Sequence, residues 1–210
     1  MIPSVSVFDD LLPAADAARI RADVIKTGFK TEIGPDNMEY PNTNLNWYRE
    51  LKSAMEVCFG RKINIKISAF RIAYEDTGHD FLVHCDLLCA NWAAVWYLPP
   101  DGAPQSGTAF YKHKGLKTEN MPSREGVAAL GVDPDWFAGM MQREWNIASS
   151  WEQSGYVAQQ FNRLLVYPAM KHHGRFPLHG YGTTPDDGRL IWACFFDFEG
   201  ETPNGYQVTK

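Results

Sequence analysis

The pattern of hydrophobic and polar positions changes once along the chain, from helical spacing to strand alternation. Residues 13–27 place apolar side chains among Asp and Arg at intervals of three or four, which predicts a helix that ends before Gly28. Residues 46–59 repeat this spacing and predict a second helix, with Gly60 as its stop. The intervening residues 34–46 are rich in Pro, Asn and Asp and predict a loop. The first 60 residues are thus predicted to form a mainly helical part.

Strand alternation begins at residue 62 and continues through most of the remaining chain. Ile63, Ile65 and Ile67 alternate with polar residues, and the strand pattern extends to residue 74. Further strands, each bounded by turn-forming residues, are predicted at 80–86, 93–98, 107–112, 163–167 and 190–196. Short strands with few helices between them favour a mainly β fold with flanking helices, an antiparallel barrel or sandwich.

One segment, residues 121–155, interrupts this series of strands and is predicted to be helical or irregular. It carries Trp136, Phe137 and Trp145, and we interpret it as an insertion that forms a lid or a partner surface.

Composition narrows the class of protein. The chain has 210 residues, of which 45% are hydrophobic, and this predicts one domain over residues 1–210 with its β core at about 61–198. The net charge is −5 and the 20 Lys and Arg are scattered, so a basic nucleic-acid surface is not expected. No basic leader and no long apolar segment is seen, which predicts a cytoplasmic protein without a membrane association. The oligomeric state stays open.

The main candidates for a functional site are His84-Cys85-Asp86, followed later in the chain by His173 and Arg189. Alternate residues of a strand point to one face, so His84 and Asp86 would point together into the fold while Cys85 points away. Two histidines and one carboxylate can bind one face of an iron(II) ion and leave three coordination positions open. A His-x-Asp pair alone is more typical of a buried structural pair, and its interpretation as a metal site depends on its neighbours.

Several landmarks around this pair occur in a characteristic order. They are Val95 to Leu98 before Pro99-Pro100, Gly107-Thr108-Ala109-Phe110-Tyr111, Phe161-Asn162-Arg163 leading to Tyr167-Pro168, and Asp187-Gly188-Arg189-Leu190. Together they resemble the 2-oxoglutarate- and iron(II)-dependent dioxygenases, in particular the prolyl-4-hydroxylase-like group and its uncharacterised bacterial and phage members. The resemblance covers about residues 69–196.

The resemblance implies a double-stranded β-helix, also called a jelly-roll or cupin-like fold, that binds iron(II), 2-oxoglutarate and O2. His84 and Asp86 would be metal ligands on an early strand, and the third ligand would come from the opposite sheet. The family pattern of Tyr-Pro, four residues, His and a small residue matches Tyr167-Pro168 and selects His173. His179 is the alternative, because it lies ten residues before Arg189, while His172 should point the other way.

Arg189 would bind the far carboxylate of 2-oxoglutarate, because a planar guanidinium forms two parallel hydrogen bonds that lysine cannot reproduce. Tyr74 is a second candidate contact to this co-substrate. It resembles the tyrosine of a family run that reads here Tyr74, Gly78, Phe81, His84, Asp86, although Phe81 lacks a hydroxyl and the spacing is stretched.

The activity implied is oxidative decarboxylation of 2-oxoglutarate to succinate and CO2, coupled to hydroxylation of a C–H bond in a peptide or protein side chain or a small metabolite. Beyond the metal ligands, no side-chain nucleophile or general base is needed. Two alternatives stay open: a cupin-type metal enzyme that does not use 2-oxoglutarate, for which Arg189 would be dispensable, and a catalytically silent jelly-roll that serves as a binding module.

Overall fold

The computed structural model describes residues 4–34, 38–77 and 82–207. Its first elements are β1 (Ser6–Phe8), α1 (Ala14–Thr27), β2 (Lys30–Ile33), β3 (Glu39–Asn44), α2 (Arg49–Phe59) and β4 (Ile63–Ala73). They are followed by β5 (Trp92–Tyr97), β6 (Gly107–His113), α3 (Arg124–Ala129), α4 (Pro134–Glu144) and a 3-10 turn at Ala148–Ser150. The last four are β7 (Trp151–Ala158), β8 (Arg163–Pro168), β9 (His173–Phe176) and β10 (Arg189–Phe198).

The strands form two antiparallel sheets. One sheet has seven strands in the order β1-β8-β5-β10-β4-β3-β2, and the other has three in the order β7-β6-β9. Buried side chains between them include Tyr97 on β5, Phe110 on β6 and Tyr167 on β8, and the Phe110 and Tyr167 rings meet edge to face at 5.3 Å. This is the predicted jelly-roll of mainly β structure with flanking helices.

Alternate side chains of β4 and β10 face two regions, the inside of the jelly-roll and the layer beneath the helices. Phe70 and Ile72 of β4, with Leu190 and Trp192 of β10, pack in one cluster with residues of α1 and α2. The alternate residues of the same strands, such as Ile191, face the other sheet. A third apolar cluster covers the outer face of the three-stranded sheet, where Met141 of α4 packs near Tyr111.

The two predicted helices are present. α1 ends at Gly28, whose φ is 80°, and α2 ends at Gly60, which adopts the left-handed conformation that glycine permits without strain. α2 begins at Arg49, three residues after the predicted start. No helix in the described ranges is both long enough and apolar enough to cross a membrane.

Several strand predictions were wrong at their boundaries. The predicted loop at 34–46 contains β3, and β1 and β2 also lie in the part predicted to be helical. The predicted insertion at 121–155 ends earlier, because β7 begins at Trp151 and pairs with β6 along its length. Within the predicted strand at 80–86, residues 82–86 form a single β-bridge at His84 rather than a regular strand, and Asp80 and Phe81 lie outside the described residues.

Candidate metal centre

Three side chains that the sequence singled out lie together at one end of the space between the sheets. One ligand atom each of His84, Asp86 and His173 falls within 4.8 Å of the others. Nε2 of His173 lies 3.2 Å from Oδ2 of Asp86, and Nε2 of His84 lies 3.8 Å from Oδ1. The two imidazole rings are 4.4 Å apart between centroids. These atoms converge on one point, as ligands on one face of a metal ion must.

Backbone pairing brings the two histidines together. The amide of His84 donates to the carbonyl of His173, and the amide of His173 donates to the carbonyl of His84, both at 2.9 Å. The amide of Asp86 donates to the carbonyl of Ala169 at 2.8 Å, which continues this contact. The expectation of a third ligand from the opposite sheet was therefore wrong, because the His84 segment lies directly beside β9.

Close approach of the two segments depends on Gly174. A Cβ at this position would lie 2.6 Å from the carbonyl oxygen of Leu82, so a larger residue would push the His84 segment away from β9. Alternate side chains of the His84 segment also point in opposite directions, as predicted for an extended backbone. Cys85 points into the cluster outside the three-stranded sheet, whereas His84 and Asp86 point inward.

Hydrogen bonding prepares His173 as a ligand. Its Nδ1 donates to the carbonyl of Lys171 at 2.9 Å, which orients the ring so that Nε2 faces Asp86. For His84, burial and the neighbouring His173 lower the pKa to about 4, so this ring is neutral at pH 7 and its Nε2 can bind a metal.

Asp86 is held ionised within the group. Burial acts to raise its pKa, but the charge and hydrogen bond of His173, together with His84 and Arg71, lower it below the ordinary value. Two imidazoles and one carboxylate make up the donor set, which suits iron(II) and leaves coordination positions open for further ligands.

The other two histidines of this region lie elsewhere. His172 is completely buried and points away from the metal centre, where it meets Trp151 edge to face at 4.7 Å. Its pKa falls to about 3 because of burial and the nearby His113, and neither of its ring nitrogens has a hydrogen-bond partner within the described residues. His179 lies exposed in the loop after β9, where its Nδ1 bonds the carbonyl of Gly180.

Arg189 is at the start of β10, inside the jelly-roll, and only 4% exposed. Its Nε donates to Oγ of Ser106 at 2.9 Å, and its Nη2 donates to the carbonyl of Gly107 at 3.1 Å. Burial lowers its pKa, and none of the carboxylates in the described ranges forms an ion pair with it. A buried cation held only by neutral partners is suited to bind an anion.

Tyr74 does not join this group. It follows Ile72 on the side of β4 that faces the helices, and it packs against the cluster beneath α1 and α2. The side chain therefore lies with this cluster and not with Arg189, and its contact to the co-substrate stays a prediction. Gly78 and Phe81, which follow Tyr74 in the family run, lie outside the described residues. Tyr97 lies beside Arg189 instead, with its ring centroid 5.9 Å from the guanidinium carbon.

Sequence reasoning missed several groups around the centre. Ser106 and Tyr97 contact Arg189, the charge of Arg71 acts on Asp86, and the charge of Arg175 acts together with those of Arg71 and Arg189. In the sequence, only the position of each arginine along its strand indicates which way its side chain points. Arg71 alternates with the core residues Phe70 and Ile72, and Arg175 lies two residues after His173.

Comparison with solved structures shows the same fold in several enzymes. SnoK, a non-heme alpha-ketoglutarate-dependent carbocyclase from nogalamycin biosynthesis, has a TM-score of 0.55 at 12% identity, covering 98% of this chain and 83% of SnoK. SnoN, an alpha-ketoglutarate-dependent epimerase from the same biosynthesis, has a TM-score of 0.53 at 11% identity, covering 99% and 91%. HygX from Streptomyces hygroscopicus, solved with iron bound, has a TM-score of 0.50 at 12% identity, covering 95% and 84%.

At this identity the similarity establishes the fold, which is that of the non-heme iron and 2-oxoglutarate-dependent oxygenases. No protein of curated function matches the chain. Residues 80–196, more than half of the chain, match the model of a family of unknown function, DUF6445. This match includes all three clustered side chains and Arg189, and it shows that the chain belongs to the DUF6445 family.

Proposed function

We propose that this protein is an iron(II)- and 2-oxoglutarate-dependent oxygenase that oxidises a C–H bond of its substrate. The observation that carries the proposal is the convergence of His84, Asp86 and His173 within 4.8 Å. A buried Arg189 without a carboxylate partner in the described ranges, in a fold shared with SnoK and SnoN, supports it.

Each group has a distinct task in this proposal. His84, Asp86 and His173 would hold the metal, and Arg189 would bind the far carboxylate of 2-oxoglutarate through its guanidinium. Bound iron would supply the oxidising chemistry with O2 as the oxidant, one oxygen atom going to succinate as 2-oxoglutarate loses CO2 and the other to the substrate. Ser106 fixes the direction of Nε of Arg189, and the Lys171 carbonyl fixes the ring of His173.

The reaction outcome is a separate part of the proposal. Hydroxylation of a peptide or protein side chain or of a small metabolite is the outcome that we propose. Proteins with this fold are described as a carbocyclase and an epimerase, so the fold is compatible with other oxidations.

An anaerobic titration of the metal-free protein with Fe(II), and then with 2-oxoglutarate, tests the proposal without knowledge of the substrate. A visible charge-transfer band that requires both components is expected, because bidentate binding of the keto acid to iron produces it. His173→Ala should abolish the band, and His179→Ala should retain it.

The same titration distinguishes the cupin-type alternative. Bound iron without a band on addition of 2-oxoglutarate would contradict the proposed co-substrate and favour a metal enzyme for which Arg189 is dispensable. Absence of iron binding altogether would favour a binding module.

A further inference from the structure

Arg71 is a second arginine inside the jelly-roll that the proposed function leaves without a role. In the register of the seven-stranded sheet, Arg71 of β4 lies opposite Ile191 of β10, while Ala73 lies opposite Arg189. Directly opposed residues point to the same face, and so do residues two apart on one strand. Arg71 and Arg189 therefore project from the same face of the sheet, one pleat repeat apart.

The charge of Arg71 acts on the metal centre and its surroundings. Burial lowers the pKa of His84 and raises that of Asp86, and Arg71 acts to lower both pKa values. It also lowers the pKa values of Arg175 and Arg189, for which burial is again the main cause. These couplings agree with the strand register, which places Arg71 on the same face of the sheet as Arg189.

Arg71 is surrounded by protein but remains open to water. Burial lowers its pKa, yet the residue is exposed to solvent. Its neighbours on the same face of β4, Ala69 and Ala73, have small side chains. The guanidinium is therefore near protein atoms and accessible to a solute.

No hydrogen bond or ion pair of Arg71 is present in the described ranges. The guanidinium contacts the ring of Tyr40 at 5.1 Å, and the charge of Asp86 acts on it without an ion-pair contact. Stacking on an aromatic face orients a guanidinium and leaves its edge free for two parallel hydrogen bonds. One free guanidinium matches a singly charged, planar anion.

We propose that Arg71 binds a carboxylate of the substrate beside the metal centre, so that the protein acts on a carboxylic acid. This inference rests on the proposed function, which assigns Arg189 to 2-oxoglutarate. It adds a second anion site, formed by Arg71 stacked on Tyr40, and it names the substrate class.

The test uses para-fluorophenylacetate and its neutral amide, which share a shape and differ in charge. Binding of each to the full chain, loaded anaerobically with Fe(II) and 2-oxoglutarate and also without them, is followed by fluorine NMR. The wild-type protein should bind the acid at least about tenfold more tightly than the amide. Arg71→Gln should remove this preference, and Arg71→Lys should retain part of it.

Arg143→Gln, at an exposed position on α4, is the matched control and should leave the preference unchanged. Equal binding of acid and amide by the wild-type protein, or an unchanged preference in Arg71→Gln, would overturn the inference. A loss of 2-oxoglutarate affinity in Arg71→Gln would also overturn it, because Arg71 would then belong to the co-substrate site. The charge-transfer band of the wild-type protein reports separately on the proposed function.

Discussion

At the scale of single residues, the identity of the third ligand decides whether the site can hold iron. Nε2 of His173 points at Asp86, whereas His179 lies exposed in a loop. We predict that His173→Ala weakens Fe(II) binding by more than about 100-fold, since even the loss of a group that supports a ligand costs 10- to 100-fold. Isothermal titration under anaerobic conditions measures this. His179→Ala is the control, and tight iron binding by His173→Ala would reject the assignment.

Arg189 offers a second residue-scale prediction. Arg189→Lys keeps the charge but loses the planar pair of donors, so the affinity for 2-oxoglutarate should fall by about tenfold or more while Fe(II) affinity stays the same. Ser106→Ala removes only the bond that orients Nε, at 2.9 Å, and should cause a smaller loss. Titrating the charge-transfer band gives both affinities. An unchanged affinity in Arg189→Lys would remove the arginine from the co-substrate site.

Strand parity explains which site residues the sequence could predict. His84 and Asp86 are two residues apart, so their shared direction follows from extended backbone even though their segment forms only one β-bridge. Tyr74 packs with Ile72 under the helices, on the side away from Arg189, which the local sequence did not indicate. Arg71 could not be singled out, since nothing local distinguishes a strand arginine inside the jelly-roll from one on the surface.

At the scale of elements, the missed strands lack the apolar alternation on which prediction depends. β3 contains Pro41 and Asn42, the latter with a φ of 55°, and its Asn44 contributes hydrogen bonds to carbonyls at the end of α1 rather than apolar surface. β7 lies at the edge of its sheet and exposes polar residues. Both strands are specified by their partners, which a local pattern does not contain.

The contact between β9 and the His84 segment gives an element-scale prediction. Gly174→Ala would place a Cβ 2.6 Å from the Leu82 carbonyl oxygen, so the His84 bridge should open and Fe(II) affinity should fall by at least about tenfold. Anaerobic iron titration and thermal unfolding measure the two effects.

Gly139→Ala on α4 is the matched control for this substitution. There the nearest atom to the added Cβ is Nη1 of Arg143 at 3.9 Å, an ordinary contact. Alanine should leave iron binding unchanged and stabilise the helix by up to about 1 kcal/mol. If Gly174→Ala bound iron as tightly as Gly139→Ala does, the close approach would not be what holds the ligands together.

At the scale of the whole molecule, the jelly-roll keeps two neighbouring histidines in different environments. His173 faces the space between the sheets, and His172 faces the apolar cluster on the outer side, against Trp151. One side of the three-stranded sheet therefore faces the His84, Asp86 and His173 group, and the other side packs against α4. In the adjacent pair His172-His173 the fold, and not the residue type, decides which histidine faces Asp86.

Burial of His172 couples the stability of the whole molecule to pH. Its pKa is about 3 in the folded protein, below the ordinary value of 6.5, so between these values the unfolded chain binds a proton that the folded chain does not. The free energy of unfolding should therefore decrease as the pH falls through this window. His84, with a pKa of about 4, contributes in the same direction.

Replacing His172 by phenylalanine isolates its share of this pH dependence. His172→Phe keeps a ring against Trp151 and breaks no hydrogen bond to described residues, because both nitrogens lack partners there. Around pH 5, the slope of unfolding free energy against pH should be lower than in the wild-type protein by about 1.4 kcal/mol per unit, the value for one proton. Urea unfolding of the metal-free protein at several pH values measures it, with His179→Gln, at an exposed position, as the control. Equal slopes for His172→Phe and the wild-type protein would mean that His172 is accessible to protons in the folded state, and that the outer cluster does not exclude water as the structure indicates.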